Sequence, residues 1–267
     1  MTDISPELIS VPGRLGVVAH FEENELRLSL VPTPETLHLG VVRASVLSFI
    51  IDAVAGITLD QDPGMWTFTS DMSVRMRPTP APARIDSVNT VLRRGGRSAT
   101  CQVELTADDG RPIATGAIGF VNVSRKEGDP PKFLLRPDQA PSLFTGLGGL
   151  ARPLRDEAGI EVIDAAEGVV QVEVTPALQN PAGTLQGAMV ALVAEAAAED
   201  LVSARFGQPG VVVDLDLRYL GKSTVGPVRT RSRLLGEGPG APIEVSLIDL
   251  STDTLTTLVY ARVTAVP

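Results

Sequence analysis

The chain has 267 residues, of which 43% are hydrophobic and 21% charged, and its net charge at pH 7 is −9. Because single domains usually run to roughly 100–200 residues, this length fits two domains that each bury a core. The acidic balance argues against a general affinity for nucleic acid or for an anionic membrane. The single cysteine, Cys101, excludes an intramolecular disulfide framework and fits a reducing compartment, and we expect its thiol to be packed inside a strand.

No targeting or membrane segment is evident in the sequence. The first ten residues lack the basic start and apolar core of a signal peptide. The most apolar stretches, 46–51 and 187–194, are shorter than the roughly 20 residues that cross a bilayer. We therefore expect a cytoplasmic protein without membrane insertion and without a nucleic-acid partner.

The first half of the chain predicts a buried helix between strands. Residues 26–31 alternate as a strand and lead into Pro32. Residues 42–58 are apolar on nearly every side, which predicts a helix enclosed by other elements. Further strands are predicted, with Gly-rich or Asp-Gly turns between them, at 66–77, 84–93, 98–106 and 113–123.

The same order recurs 143 positions later. Five residues of the first copy, Gly40, Asp52, Asp71, Arg75 and Leu92, correspond to Gly183, Glu195, Asp214, Arg218 and Leu235. The second copy predicts a strand at 169–175, a buried helix at 186–203 and strands at 211–220, 228–235, 243–249 and 254–266.

This repeat predicts an α+β fold of two like domains, residues 10–125 and 156–267. Each domain is expected to have a long central helix wrapped by an antiparallel sheet, and residues 126–155 to form a linker over the surface. Like domains in one chain would pack about a pseudo-twofold axis, as the subunits of isologous dimers do. If the strands after the two helices pair across that axis, reciprocal ion pairs follow between Asp71 and Arg218 and between Asp214 and Arg75.

The start of the second helix carries a recognisable pattern. Residues 180–188 read Asn-Pro-Ala-Gly-Thr-Leu-Gln-Gly-Ala, and Glu195 follows nine positions after Gln186. This pattern resembles the signature of the phenylacetate-pathway-type (PaaI-like) hotdog-fold acyl-CoA thioesterases, Asn-x-x-Gly-x-x-His-Gly-Gly with an acidic residue nine positions after the histidine. The resemblance covers residues 15–123 and 160–266.

This chain departs from the family pattern at two positions of the second copy and more in the first. Gln186 stands in place of the histidine and Ala188 in place of the second glycine. The first copy keeps Gly40 and Asp52 but lacks the asparagine and the histidine. The second copy is therefore the better candidate site, and the first is expected to be degenerate.

The resemblance implies a thioester hydrolase that releases coenzyme A and a free acid from an acyl-CoA. A helix N-terminus offers unpaired N–H groups to a developing oxyanion, and the resemblance assigns the carbonyl contact to Gly187. Glu195 is the predicted nucleophile or general base, and Gln186 and Asn180 are expected to orient the water or the thioester. Glu199, one turn beyond Glu195, is a competing candidate.

Asp52 leaves three possibilities open. It could serve a second site, complete the site of the other half across the axis, or persist as a hydrogen-bonded relic. For the phosphates of coenzyme A we predict contacts with Arg218, Lys222 and Arg94. No metal motif is legible, and no cofactor is expected apart from the coenzyme A of the substrate.

Two other functions remain in view. One is a non-catalytic hotdog protein that binds acyl-CoA or acyl groups and lost its chemistry with the usual histidine. The other, weaker, is a hotdog dehydratase or hydratase, because neither His20 nor His38 falls at a matching helix position. Further homo-oligomerisation of the double unit is also open.

Overall fold

The computed structural model describes residues 10–129, 132, 134–144 and 148–266. We call residues 10–129 the first half and residues 148–266 the second half. The first half contains one long helix, α1 (Ala44–Leu59), and eight strands: β1 (Val17–Glu22), β2 (Glu25–Leu30), β3 (Leu37–His38), β4 (Val41–Val42), β5 (Met65–Met76), β6 (Ile85–Arg94), β7 (Ser98–Ala107) and β8 (Pro112–Ser124).

The second half repeats this order without the short β3–β4 pair. A single turn of helix, α2 (Leu154–Glu157), precedes it, and the long helix is α3 (Gly187–Phe206). Its strands are β9 (Glu161–Asp164), β10 (Val169–Val172), β11 (Val211–Tyr219), β12 (Val228–Leu234), β13 (Ile243–Asp249) and β14 (Thr254–Thr264). Helix α3 ends at Gly207, whose φ of 66° is the left-handed conformation that glycine adopts without strain.

Twelve strands form one antiparallel sheet in the order β1-β2-β6-β7-β8-β5-β11-β14-β13-β12-β10-β9. The order is mirrored about the central pair, because β5 and β11 hold equivalent positions in the two halves and pair with each other. The antiparallel pairing predicted for the sheet of each domain is therefore confirmed, and the strands of both halves join in one large sheet.

The pairing register of β5 and β11 is the predicted one. Asp71 faces Arg218 and Arg75 faces Asp214. Arg75 Nε lies 3.6 Å from Asp214 Oδ1, and the same guanidinium lies 2.8 Å from Asp216. Within the described residues Arg218 forms no ion pair with Asp71, and its guanidinium donates to the Leu217 carbonyl instead.

The two long helices are buried against strands of this sheet and against each other. Fourteen residues of α3 are buried, among them Glu195 and Glu199, and the apolar ones join the side chains of α1 in one continuous core. Each fully buried Val, Leu or Ile contributes roughly 1.5–3 kcal/mol through removal of apolar surface from water. The helices run antiparallel, because the start of each one contacts the middle of the other.

The segment between the halves was predicted to run over the surface, and its described part is packed more closely than that. Leu135, Ala140 and Leu143 are buried and belong to the common core. Apolar side chains spaced along an otherwise polar segment explain the difference, since they cover core surface that the sheet leaves open. Cys101 is also fully buried, as expected of a packed thiol.

No helix among the described residues is both long enough and apolar enough to cross a bilayer.

Candidate functional site

Asp52 lies in the middle of α1 and meets the start of α3. Its Oδ1 accepts a hydrogen bond of 2.6 Å from the Thr69 hydroxyl on β5. Its Oδ2 accepts a hydrogen bond of 3.1 Å from the Gln186 side-chain amide. The carboxylate of the first half is thus held at the helix N-terminus of the second half.

Gln186 is fixed in this orientation because it also caps α3. Its Oε1 accepts from the backbone N–H groups of Ala188 at 2.7 Å and Met189 at 3.3 Å. These bonds use two of the donors that a helix start otherwise leaves unpaired. With the amide oxygen committed to the helix, the Nε2 group must be the one that points at Asp52. Unlike a histidine, this side chain does not change its charge near neutral pH.

Gly187, the first residue of α3, is enclosed by Asp52 and Tyr219. A Cβ atom at this position would lie 3.2 Å from Tyr219 Oη and 3.3 Å from Asp52 Oδ2. The Tyr219 hydroxyl donates to the Gly187 carbonyl at 3.1 Å. Within the described structure the Gly187 N–H donates to no protein acceptor. The site therefore combines a carboxylate, a free backbone donor and the positive end of a helix.

The surroundings of Asp52 favour the protonated form of its carboxyl group. Burial raises the pKa of the carboxyl above its ordinary value, and the hydrogen bond from Thr69 partly offsets this effect. Burial, with the nearby Asp52 charge, also raises the pKa of Tyr219 well above 10, so this hydroxyl stays a hydrogen-bond donor. A carboxylate with a raised pKa is a better proton acceptor than a free aspartate.

Glu195 was predicted to act in the same site as Gly187, but its carboxylate lies at the start of α1. Eight residues along a helix span about 12 Å, and the Glu195 carboxylate faces the start of α1 instead. Its Oε1 accepts from the Ala44 N–H at 2.8 Å and its Oε2 from the Ser45 hydroxyl at 2.5 Å. Glu195 is only 1% exposed, and both of its oxygens are occupied by protein donors.

We call the places where the start of one long helix meets the middle of the other the two junctions; Asp52 and Gln186 lie at the first. Arg43 and Glu199 lie with Glu195 at the second, where α1 starts. Arg43 corresponds to Gln186 at the 143-residue offset, and its guanidinium lies 3.0 Å from Glu199 and 3.7 Å from Glu195. The three side chains are buried, and His38 Nε2 is 3.7 Å from Glu199. We call these four residues the buried ionic cluster. Glu199, the competing candidate, thus belongs to the same cluster as Glu195.

In this cluster one cation, Arg43, faces two carboxyl groups, those of Glu195 and Glu199. Burial opposes the charge of Arg43, but the two carboxylates outweigh it and raise the pKa of the guanidinium. Burial and the neighbouring Glu195 raise the pKa of Glu199 to about 8. Burial and the charge of Arg43 lower the pKa of His38 to about 4. At neutral pH the cluster therefore holds a protonated Glu199 and a neutral His38.

A raised pKa in the folded state makes stability depend on pH in a known direction. The contribution from Glu199 is fully present below its unfolded pKa of 4.5 and is lost as the pH rises towards 8. Glu199→Gln cannot ionise, so between pH 7.5 and 9 the wild type should lose about 1 kcal/mol of unfolding free energy relative to the variant. Urea unfolding at both pH values measures this difference, and parallel pH dependences would contradict it. His38 is largely neutral in both states over this range.

Asn180 shapes the loop before α3 and does not reach the Asp52 carboxylate. Its side-chain oxygen accepts from the backbone N–H groups of Ala182 at 3.0 Å and Thr184 at 3.2 Å. Gly183 within this turn has a φ of 74°. Asn180 thus acts as a turn residue, with its side chain holding the loop that leads into Gln186.

The three predicted basic residues are dispersed. Lys222 is exposed and its Nζ lies 4.2 Å from the ring centre of Phe68, the residue before Thr69, so it is close to the strand that supports Asp52. Arg218 is exposed on β11, one residue before Tyr219. Arg94 lies at the far end of α1, where it donates to the Leu59 carbonyl at 3.4 Å.

Thr69 and Tyr219 belong to the site although the sequence pattern does not single them out. A comparison of the copies carries a signal for Thr69, which corresponds to Val212 at the 143-residue offset. Thr69 and Val212 each directly precede a β-bulge, so they hold the same position in the two halves. A hydroxyl in one copy and an aliphatic side chain in the other distinguish the two junctions.

Neither histidine belongs to the site. His20 is exposed on β1, and His38 belongs to the buried ionic cluster. Among the described residues no three His, Cys, Asp or Glu side chains are grouped so that they could hold a metal ion.

The fold is that of double-length thioesterases. A tesB protein of Mycobacterium avium subs paratuberculosis superposes with a TM-score of 0.63 and 13% identity, over 97% of this chain and 99% of that one. An acyl-ACP thioesterase from Bacteroides thetaiotaomicron gives 0.60 and 12%, over 89% and 97%. The 12:0-ACP thioesterase from Umbellularia californica gives 0.59 and 9%, over 89% and 96%. No family model and no curated protein matches the sequence.

Proposed function

We propose that the chain is an acyl-CoA thioesterase made of two hotdog domains, residues 10–125 and 156–267, with one active site between them. The observation that carries the proposal is the position of Asp52, whose carboxylate meets the free N–H and the capped start of α3. A base beside a preformed oxyanion donor is the arrangement that acyl transfer to water requires.

In the proposed reaction, water attacks the thioester carbonyl carbon while Asp52 accepts one of its protons. The carbonyl oxygen becomes an oxyanion, which the Gly187 N–H and the positive end of α3 stabilise. When this intermediate collapses, the carbon–sulfur bond breaks, and the protonated Asp52 returns its proton to the departing thiolate. The products are the free acid and coenzyme A, and the carboxylate is regenerated.

Thr69 and Gln186 support the role of Asp52 as a general base. They donate to different oxygens of the same carboxylate, at 2.6 Å and 3.1 Å, and so fix its plane. Each oxygen keeps a further lone pair that can accept the proton of the attacking water. Tyr219 holds the Gly187 carbonyl and thereby the direction of the helix start.

Only one of the two junctions is proposed to be active. At the other, Arg43 replaces the amide of Gln186 and Val212 replaces the hydroxyl of Thr69. The Ala44 N–H, which is equivalent to the free Gly187 N–H, is already bonded to Glu195. We assign Glu195 the structural role of capping α1, which a buried carboxylate near a helix N-terminus performs well.

Coenzyme A as the carrier is supported by the sequence resemblance and by exposed Lys222 beside β5. The structural relatives named above include thioesterases described as acting on acyl-ACP, a carrier that ends in the same phosphopantetheine arm. A thioester attached to that arm is the chemistry that both carriers share.

The function is tested by measuring thiol release from short, medium, long and aromatic acyl-CoAs, with the matching acyl-N-acetylcysteamines as carrier controls. Hydrolysis of at least one acyl-CoA, with kcat/KM well above that of its truncated thioester, is expected. Binding of acyl-CoA without thiol release on any substrate would favour the non-catalytic alternative and reject the enzyme.

Thr69 gives a pH test of the proposed base. Hydrolysis needs ionised Asp52, so kcat/KM should fall as the pH drops through the raised pKa of this carboxyl. Thr69→Val removes a hydrogen bond that favours the ionised form, so the acid limb of the profile should move to higher pH. Thr69→Ser keeps the hydroxyl and should restore the wild-type limb. An acid limb that is the same in Thr69→Val and wild type would contradict this role.

A further inference from the structure

Helix α1 continues past the start of α3 and borders the space in front of it. Asp52 meets Gln186 and Gly187, and α1 runs on for seven more residues to Leu59, about 10 Å. The backbone N–H groups of a helix point towards its N-terminus, and the two helices run antiparallel. The free N–H of Gly187 therefore points along α1, towards the turn that follows Asp52.

Gly56 is the residue of that turn on the same face of α1 as Asp52. It follows Asp52 by four positions, a spacing that places two residues one above the other on a helix. Gly56 is half-buried, and beyond its own helix a Cβ atom on it would have only the Phe120 ring within 4 Å, at 3.7 Å. The space beside Gly56 therefore has room for a side chain that this residue does not have.

The fold itself does not require a glycine at position 56. Glycine is among the least favourable residues inside a helix, because it loses the most backbone freedom on folding. Gly56 lies within the regular helix α1, so its backbone conformation is open to other residues. The distance of 3.7 Å to Phe120 is an ordinary van der Waals contact, so packing does not exclude a side chain either. A glycine that weakens the helix without serving the fold indicates a use in binding.

The second half shows what a side chain does at this position. At the 143-residue offset Gly56 corresponds to Glu199, and Gln186 corresponds to Arg43. The Glu199 carboxylate lies 3.0 Å from Arg43, the residue that precedes α1, and Glu199 is only 3% exposed. At the second junction a side chain therefore fills the space in front of the partner helix. At the first junction no side chain from position 56 enters that space.

Phe120 forms an apolar wall of this space next to the proposed base. It lies directly opposite Thr69 in the pairing of β5 with β8, and Thr69 donates to Asp52. Its ring is the nearest group to the Cβ position of Gly56. An apolar wall one helical turn from Asp52 suits the hydrocarbon part of an acyl group better than the polar phosphopantetheine arm.

We propose that Gly56 is a specificity-determining residue that makes room for the acyl carbons next to the thioester carbonyl. The inference rests on the proposed function, in which the carbonyl oxygen binds the Gly187 N–H. The acyl group then extends from the carbonyl carbon into the space between Gly56 and Phe120. Because position 56 has no side chain, acyl groups that carry a branch or a ring at the carbon beside the carbonyl are accepted as substrates.

Gly56→Leu and Gly56→Ala are tested on the unbranched acyl-CoA that the wild type binds best and on its 2-methyl derivative. Gly56→Leu should lower kcat/KM for the 2-methyl substrate about tenfold more than for the unbranched one, because leucine occupies the space that the branch needs. Gly56→Ala should show the same preference to a smaller extent. Gly240→Leu is the matched control at an exposed turn, where a Cβ atom meets nothing within 4 Å, and it should leave both substrates unaffected.

The melting temperature separates a binding role of Gly56 from a structural one. Gly56→Ala should melt no lower than the wild type, because alanine is the better helix former. A lower Tm for Gly56→Ala would mean that packing requires the glycine, and this result would overturn the proposal.

Two kinetic results would also overturn it: equal losses on the two substrates, which would place the thiol side of the thioester against Gly56, or no loss on either. Titration calorimetry with Asp52→Asn added to each variant gives Kd for both acyl-CoAs and keeps this test separate from the proposed function. Absence of thiol release from every acyl-CoA would reject hydrolysis, while the ratio of the two Kd values would still decide the role of Gly56. Absence of acyl-CoA binding would reject both.

Discussion

Replacing Asp52 by asparagine is expected to lower kcat for acyl-CoA hydrolysis about a thousandfold, within the range that general bases contribute. Asparagine keeps the size of the side chain but cannot accept the proton of the attacking water. The loss should appear in kcat more than in KM, because the proton moves only in the transition state. Steady-state thiol release at the pH optimum measures both constants.

Glu195→Gln is the matched control for Asp52→Asn. It alters the equivalent carboxylate of the other half, which is only 1% exposed and caps α1. We expect kcat to remain within severalfold of wild type in the folded variant, although the variant will be less stable. Loss of hydrolysis in folded Glu195→Gln, with Asp52→Asn active, would reverse the assignment of the two junctions.

Arg43→Ala is expected to lower the free energy of unfolding by about 3–5 kcal/mol, the usual effect of removing one partner from a buried ion pair. The guanidinium is 3.0 Å from Glu199 and 3.7 Å from Glu195, and both carboxyls are almost fully buried. Without it the cluster keeps its acidic groups and loses its cation. Urea unfolding at neutral pH gives the difference.

The comparison for Arg43→Ala is Arg233→Ala, which breaks an exposed ion pair of 3.0 Å with Glu244. Because the Arg233 side chain is 68% exposed, its loss should cost no more than about 1 kcal/mol. Equal effects of the two substitutions would mean that the buried ionic cluster contributes no more than a surface contact.

Much of the fold was predictable because its signals are local. The apolar residues of 42–58 and 186–203 indicate buried helices by their number alone, and α1 and α3 occupy nearly these ranges. The register of β5 against β11 was also predictable, since a twofold relation fixes which residues face each other. Strands β1 and β9 were not predicted, although they are no shorter than β2 and β10, which were. All four residues of β9 are exposed, so no alternation of buried and exposed side chains marks this strand.

The site was harder to predict because it is assembled across the two halves. The sequence places Gly187 and Glu195 on one helix in motif order, and that order does not say which helix each side chain faces. Two antiparallel helices bring the middle of one to the start of the other, so Asp52 meets Gln186 and Glu195 meets Ala44. Thr69 is distant in sequence from both and depends on the placement of β5.

The repeat also explains why the two junctions differ. Replacement of Gln186 by Arg43 and of Thr69 by Val212 changes a polar, partly open site into a closed ionic one. Equivalent positions in the two copies therefore serve different purposes while the sheet and helices stay alike.

The most direct test of the proposed mechanism is a crystal structure of Asp52→Asn bound to a non-hydrolysable acyl-CoA analogue. The carbonyl oxygen is expected within hydrogen-bond distance of the Gly187 N–H, with the thioester carbon facing residue 52 and a water between them. An analogue seated against Glu195 at the start of α1, or one whose carbonyl lies away from α3, would contradict the proposed site.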